Sequence, residues 1–173
     1  RPRKFGKSLY VSILQYYYGI EHKDKFEKLF GEYYIGKNPT PKVNSYYVLK
    51  FDFSSILTST SEVTFKEFRG KVIDGIKNFI NEYELFSELE KENILSQESS
   101  NQLLISFFNN YRSKKLENKI YILIDEYDHF TNELISFRLT EFKEIVSRNG
   151  YVRKFYEVIK EGTGSGIVDR FFA

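Results

Sequence analysis

A continuous apolar run, Ile120-Tyr121-Ile122-Leu123-Ile124, is the feature that most limits how this chain can fold. A strand with one solvated face alternates apolar and polar residues, whereas a strand that helices cover on both faces is apolar throughout. The run therefore predicts a strand inside a parallel sheet. Segments with helical and strand periodicity alternate along the rest of the chain, which predicts an α/β protein whose parallel sheet is covered by helices.

Apolar spacing and turn residues predict the individual elements. The predicted helices cover residues 8–18, 23–30, 100–113 and 140–162, the last with an interruption at Gly150. A further predicted helix begins with a Thr64/Glu67 capping box and runs to Tyr83. The predicted strands cover residues 46–53, 120–124 and 167–173. Residues 36–45 and 114–118 predict turns, residues 84–99 form an acidic and less regular segment, and residues 162–166 predict a flexible connection. A chain of 173 residues suits one domain, so we expect a single domain over residues 1–173.

Composition excludes several kinds of site. Apolar residues make up 41% of the chain and the formal net charge is only +2, so bulk charge does not argue for nucleic-acid or membrane binding. The chain has no cysteine and only two histidines, which lie far apart in sequence, so we expect neither a disulfide nor a zinc site. No apolar run approaches the roughly 20 residues that span a bilayer. A cytoplasmic location is the default expectation.

The start of the chain matches half of a phosphate-binding loop. Gly6, Lys7 and Ser8 fit the second half of the pattern Gly-x-x-x-x-Gly-Lys-Ser/Thr, and a predicted helix follows them. In such loops the backbone amides and the helix N-terminus attract phosphate, the lysine reaches the β- and γ-phosphates, and the hydroxyl binds Mg²⁺. Arg1 stands where the pattern has glycine, so the loop is degenerate. The chain does not begin with Met and its first residue already lies inside the motif, so we expect the chain to be a fragment. An ordinary helix start with a serine cap is the alternative.

A pair of acidic residues follows the predicted central strand. Asp125 and Glu126 come directly after Ile124, which is the form of a Walker B motif that adds a catalytic glutamate to the metal-binding aspartate. Ligands of open α/β sheets bind at the carboxyl ends of the strands. At that edge Asp125 could bind Mg²⁺ and Glu126 could act as the general base toward water. A polar pair that merely ends a strand is the alternative.

Three further polar residues are weaker candidates. Asp128 could support the site or cap the next helix, and the cap is at least as well supported. Asp52 ends the predicted strand 46–53 and could face the site, but a turn aspartate is the better interpretation. His129 is interpreted as a surface residue.

These segments together resemble the bacterial AAA-ATPase-like family. The resemblance rests on the opening Arg-Pro-Arg-Lys-Phe-Gly-Lys-Ser-Leu and on Leu-Ile-Asp-Glu-Tyr-Asp at residues 123–128, and it extends through residues 29–31, 48–54 and 162–168. It implies a P-loop NTPase core of the additional-strand, catalytic-glutamate type that binds ATP and Mg²⁺, often fused to a PD-(D/E)XK nuclease-like region. An arginine at the first loop position looks typical of this family.

Carried over by position, the resemblance implies the following site. The candidate nucleotide-binding residues are Arg3, Lys4, Phe5, Gly6, Lys7, Ser8 and Leu9; the candidate metal ligands are Ser8 and Asp125; and the candidate catalytic residues are Glu126 and Lys7. Three functions remain open: an ATPase coupled to a larger protein, a nucleotide-dependent switch without turnover, and a nucleic-acid or protein interaction module. Neither an arginine finger nor an oligomeric state can be assigned from the sequence.

Overall fold

A parallel sheet organises the part of the chain that the structure, a computed structural model, describes: residues 6–127, 130–132, 135, 145–146 and 150–173. Its strands are β1 (Tyr46–Asp52), β2 (Lys119–Asp125) and β3 (Val168–Phe172), in that spatial order. β2 pairs in parallel with both neighbours, and Asp52 lies opposite Asp125. Because the strands are parallel, their carboxyl ends lie at one edge of the sheet.

Helices connect and cover these strands. In chain order they are α1 (Lys7–Tyr18), a 3₁₀ helix (Ile20–Lys25), α2 (Phe26–Phe30), α3 (Tyr34–Lys37), α4 (Ser61–Tyr83), α5 (Glu88–Leu95), α6 (Ser100–Ser113) and α7 (Tyr151–Gly164). α1 lies on one face of the sheet, whereas α4, α6 and α7 lie on the other. The described chain is therefore an α/β structure with a parallel sheet between helices, which is compatible with a P-loop-like fold.

The apolar run in β2 is buried from both sides, as the sequence predicted. Ile120, Ile122 and Ile124 join the large core beneath α4, α6 and α7. Tyr121 and Leu123 point to the opposite face, where they pack with α1. Successive side chains of a strand alternate between faces, so a strand with two covered faces has no position left for a polar residue. The prediction of a covered central strand is confirmed.

The predicted start of the long helix is wrong. α4 begins at Ser61, and its N-cap is Thr60, whose hydroxyl oxygen accepts a hydrogen bond from the backbone N–H of Val63 at 3.1 Å. Thr64 lies inside the first turn, fully buried, and its own hydroxyl donates to the carbonyl of Thr60 at 2.7 Å. The sequence offers threonine at both positions, and only tertiary packing, which buries Thr64, selects between them.

Two other segments differ from the predictions. Residues 84–99 contain the regular helix α5, which starts with a capping box between Ser87 and Glu90. The predicted flexible connection is helical up to Gly164. A Cβ atom added at Gly162 would lie 2.9 Å from Cε2 of Phe108, so this glycine is required for close packing of α7 on α6 rather than for flexibility.

The remaining predictions differ from the structure mainly in their boundaries. The predicted helix 23–30 is divided into the 3₁₀ helix and α2, and α3 takes up part of the predicted turn 36–45. Gly150 is the N-cap of α7, which fits the predicted interruption, whereas most of residues 136–149 lie outside the described part of the chain. Among the described residues, no helix combines the length and apolar character that crossing a membrane requires. The single domain over residues 1–173 stays a prediction.

Candidate functional site

A cavity of ≈ 670 Å³ opens at the carboxyl edge of the sheet. One wall comes from the first turns of α1, and the opposite wall comes from the end of β2 and the residues that follow it. The lining residues are Lys7, Tyr10, Val11, Ile124, Asp125, Glu126, Tyr127, Phe172 and Ala173. The structure therefore brings Lys7 together with the pair Asp125 and Glu126, which lies more than a hundred residues later in the sequence.

The start of α1 has the local features of an anion-binding helix end. Gly6 is the N-cap and has φ +75°, a left-handed conformation that glycine adopts without strain. A helix leaves its first backbone N–H groups without intrahelical partners, and glycine has no side chain to accept them. The first turn also contains no acidic residue that would repel phosphate. The N–H groups and the helix dipole therefore give this end of α1 a partial positive charge.

The predicted loop residues are distributed unevenly around this helix end. Lys7 is half-buried and lines the cavity. Ser8 is exposed on the first turn, and its carbonyl accepts a hydrogen bond from the Ser12 hydroxyl at 2.9 Å. The side chain of Leu9 is directed to solvent, with 65% of the residue exposed, so only its backbone can serve a ligand in the cavity. Arg1, Arg3, Lys4 and Phe5 lie outside the described residues.

Asp125 supplies a buried carboxylate to the opposite wall. It is the last residue of β2, and only 7% of it is exposed. Its Oδ1 accepts a hydrogen bond from the backbone N–H of Glu126 at 3.0 Å, which fixes the orientation of the carboxyl group. Its backbone carbonyl accepts from the N–H of Phe53 at 3.1 Å and so remains part of the sheet. An oriented carboxylate on a rigid strand end has the chemistry of a Mg²⁺ ligand.

Glu126 adopts an unusual backbone conformation. Its φ is +58°, in the left-handed region that residues with a Cβ atom seldom occupy. Such a conformation costs about 1–3 kcal/mol and persists only where the surrounding structure holds it. The turn ends β2 abruptly and directs the chain into the helical turn that begins at Tyr127. Glu126 is half-buried and lines the cavity beside Asp125.

The other acidic candidates do not join this wall. Oδ1 of Asp52 accepts a hydrogen bond from the N–H of Ser54 at 2.9 Å, which is the turn role that the sequence favoured. Asp52 also lines a separate polar cleft of ≈ 450 Å³, together with Lys50 and Lys71. Asp128 and His129 lie outside the described residues, so both interpretations of Asp128 stay open.

Sequence reasoning missed three aromatic residues that line the cavity. The ring of Tyr10 lies 5.4 Å from that of Phe172, measured between centroids, and Tyr127 stands next to Glu126. Helical spacing could have identified Tyr10 and Val11, because they lie three and four residues after Lys7 and share its side of α1. No local signal identifies Phe172, since its contribution depends on the pairing of β3 with β2.

Comparison with known proteins identifies the family of the chain. A family model described as "Predicted AAA-ATPase" matches residues 1–173, the whole chain. The chain belongs to the AAA-ATPase-like family. No curated protein and no solved structure matches it.

Membership of the AAA-ATPase-like family implies an ATPase-like function and the binding of ATP. The cavity suits a nucleotide in its distribution of charge: α1 offers Lys7 and a positive helix end, and β2 offers two carboxylates across from them. Phosphate oxygens carry negative charge and bind Mg²⁺, so both walls have a complementary partner in a Mg²⁺-nucleotide complex.

Proposed function

We propose that this AAA-ATPase-like chain binds ATP together with Mg²⁺ in the cavity between α1 and β2 and hydrolyses it to ADP and phosphate. The observation that carries the proposal is the presence of Lys7, Asp125 and Glu126 on the walls of one cavity. The fold type that goes with this activity is the additional-strand, catalytic-glutamate class of P-loop ATPases. Coupling of hydrolysis to a larger protein belongs to the same proposal.

The α1 wall would hold the phosphates. Gly6 lets the chain enter the helix in a left-handed turn, and the N–H groups that follow point toward an anion at the helix end. The Lys7 ammonium group would contact the β- and γ-phosphates and offset their charge as the terminal phosphoryl group leaves. Ser8 and Asp125 would hold Mg²⁺, because both offer oxygen ligands, and the ion would supply positive charge that offsets the charge of the phosphates.

The β2 wall would activate water. The Glu126 carboxylate accepts a proton from a water molecule whose oxygen attacks the γ-phosphorus, and the bond from that phosphorus to the β–γ bridging oxygen breaks. ADP keeps the bridging oxygen, and the water oxygen stays on inorganic phosphate. Asp125 is assigned to the metal instead, and its Oδ1 accepts a hydrogen bond from the backbone N–H of Glu126.

Nucleotide binding is tested with Lys7→Ala. We expect the Kd for ATP in the presence of Mg²⁺ to rise by at least tenfold, because a hydrogen bond between charged groups contributes about 1.5–3 kcal/mol. Lys28→Ala is the matched control, since Lys28 is exposed on α2, outside the cavity. An unchanged affinity in Lys7→Ala would reject the proposed phosphate site.

Hydrolysis is tested with Glu126→Gln, measured as steady-state phosphate release. Glutamine keeps the shape of the side chain but cannot take the proton, so we expect the rate to fall by about 10²–10⁴-fold while ATP still binds. Glu117→Gln, in the exposed loop before β2, is the control. If the wild-type protein binds ATP and Mg²⁺ but releases no phosphate above the Glu126→Gln level, the chain is a nucleotide-dependent switch and the hydrolytic part of the proposal is wrong.

A further inference from the structure

The left-handed conformation of Glu126 needs support from the residues around it. On its amino side the N–H of Glu126 is held by Oδ1 of Asp125 at 3.0 Å. That bond fixes one peptide group, but it leaves the rotation that carries the chain onward from Glu126 unrestrained. A left-handed conformation of a residue with a Cβ atom persists only where the surrounding structure over-determines it. The support on the carboxyl side must therefore come from Tyr127 and its contacts.

Tyr127 is anchored by aromatic packing against the last helix. Its ring meets that of Tyr156 on α7 edge to face, with centroids 5.2 Å apart and planes at 75°. The Tyr156 ring in turn meets Phe171 of β3, with centroids 6.1 Å apart and planes at 77°. Both geometries are favourable for aromatic pairs. The chain after Glu126 is thus attached to α7 and, through it, to the strand next to β2.

Backbone bonding and burial reinforce this anchor. The carbonyl of Tyr127 accepts a hydrogen bond from the Thr131 hydroxyl at 3.1 Å, four residues further along the chain. The Tyr127 side chain is itself half-buried at this position. Tyr127 also lines the cavity, as Glu126 does.

We propose that Tyr127 is a positioning residue for hydrolysis: its ring, fixed against Tyr156, keeps Glu126 in the left-handed conformation that presents the carboxylate to the cavity. This inference rests on the proposed function, because it assigns Glu126 as the base. Loss of the ring frees the backbone, and Glu126 returns to the commoner regions of conformational space. A left-handed residue with a Cβ atom is disfavoured on the order of tenfold, so the productive population falls by about that factor.

The experiment compares Tyr127→Ala with Tyr127→Phe in steady-state ATP hydrolysis. In Tyr127→Ala we expect kcat to fall about tenfold, while KM for ATP changes by less than about twofold, since Lys7 and α1 are untouched. Tyr127→Phe keeps the ring and is expected to restore most of the lost rate. If Tyr127→Ala does not fold, Tyr127→Leu carries the same expectation, because it keeps apolar volume without the planar ring.

Tyr47→Ala is the matched control for lost packing. Tyr47 is half-buried and forms a comparable edge-to-face pair with Tyr83, with centroids 4.9 Å apart and planes at 81°, near the amino end of β1. We expect its kcat to match that of the wild type. A fall in kcat equal to that of Tyr127→Ala would show that general loss of packing causes the effect, and would overturn the proposal.

A double substitution shows whether Tyr127 acts through Glu126. When Tyr127→Ala is added to Glu126→Gln, we expect no further loss of rate, because the group that Tyr127 positions is already disabled. Additive losses would overturn the proposal, and so would an equal loss in Tyr127→Phe, which would assign the role to the hydroxyl. Failure of this inference and failure of the proposed function give different results. If the proposed function is wrong, the wild type hydrolyses ATP no faster than Glu126→Gln. If only the role of Tyr127 is wrong, Glu126→Gln is slow and Tyr127→Ala is as fast as the wild type.

Discussion

Replacing Glu126 by glycine is expected to stabilise the folded protein and to abolish the proposed hydrolysis. Glu126 has φ +58°, and the left-handed region costs a residue with a Cβ atom about 1–2 kcal/mol. Glycine occupies that region without the cost, but it loses more backbone entropy on folding, which offsets roughly 0.5–1 kcal/mol. The net gain in the free energy of unfolding is about 0.5–1 kcal/mol. For a chain of this length it corresponds to a rise in Tm of roughly 1–4 °C.

No hydrogen bond described for the turn is lost in this substitution, because the bond to Oδ1 of Asp125 comes from the backbone N–H of residue 126. Lys115→Gly is the matched control for strain. Lys115 has φ +52° and is exposed in the loop before β2. We expect the same gain in stability from Lys115→Gly, with no change in phosphate release. Urea unfolding at constant m-value measures the first quantity, and steady-state phosphate release measures the second.

Two results would refute this reasoning. If Lys115→Gly stabilises the protein and Glu126→Gly destabilises it, the conformation of Glu126 is not strained, and the glutamate side chain contributes to folding instead. If Glu126→Gly keeps the wild-type rate of hydrolysis, the carboxylate is not the base. A stable but inactive Glu126→Gly variant is the expected result, since function and stability then compete at this residue.

Three further predictions concern stability. Tyr83→Phe is expected to lower the free energy of unfolding by about 1–3 kcal/mol. The reason is that the Tyr83 hydroxyl accepts a hydrogen bond from the N–H of Val48 at 2.8 Å and donates one to Glu21 at 2.7 Å. A loss below about 0.5 kcal/mol in urea unfolding would contradict this prediction. Burial raises the pKa of Glu21 above 4.5 in the folded protein, so the folded state favours the protonated carboxyl group. As the pH falls from 7 toward 4.5, the wild type should therefore gain stability relative to Glu21→Gln. A stability difference between the two proteins that does not change with pH would contradict this prediction. Ser87→Ala removes one half of the capping box with Glu90 and should lower stability by about 1 kcal/mol, whereas an unchanged Tm would show that α5 does not depend on its cap.

The three charged residues proposed for the site, Lys7, Asp125 and Glu126, could be identified from the sequence because each belongs to a local pattern. Lys7 follows a glycine at the start of a helix, and the pair Asp125 and Glu126 follows the most apolar strand. Parallel strands bring their carboxyl ends to one edge, so topology alone predicts that the acidic pair meets the loop. Their roles in binding and catalysis stay predictions until the variants are measured.

Local sequence patterns gave wrong predictions at a helix start and at a glycine. Thr60 and Thr64 can both begin a helix, and the hydrogen bonds of Thr60, together with the burial of Thr64, decide between them. Gly162 could be read as a flexible linker, yet its position against Phe108 explains why no larger side chain fits there. In each of these cases the deciding contact joins residues on different elements or depends on burial, which a local reading of the sequence cannot supply.

The sequence by itself determined the α/β character of the chain and the covered central strand, and it supplied the candidate residues for phosphate and metal binding. All of these follow from side-chain type and spacing within a few residues. Only the tertiary structure decided that Asp52, although paired in register with Asp125, opens into a different cleft, and that Tyr127 connects Glu126 to α7. Strand register and side-chain direction bring together segments that are remote in sequence, and packing across the whole fold sets both.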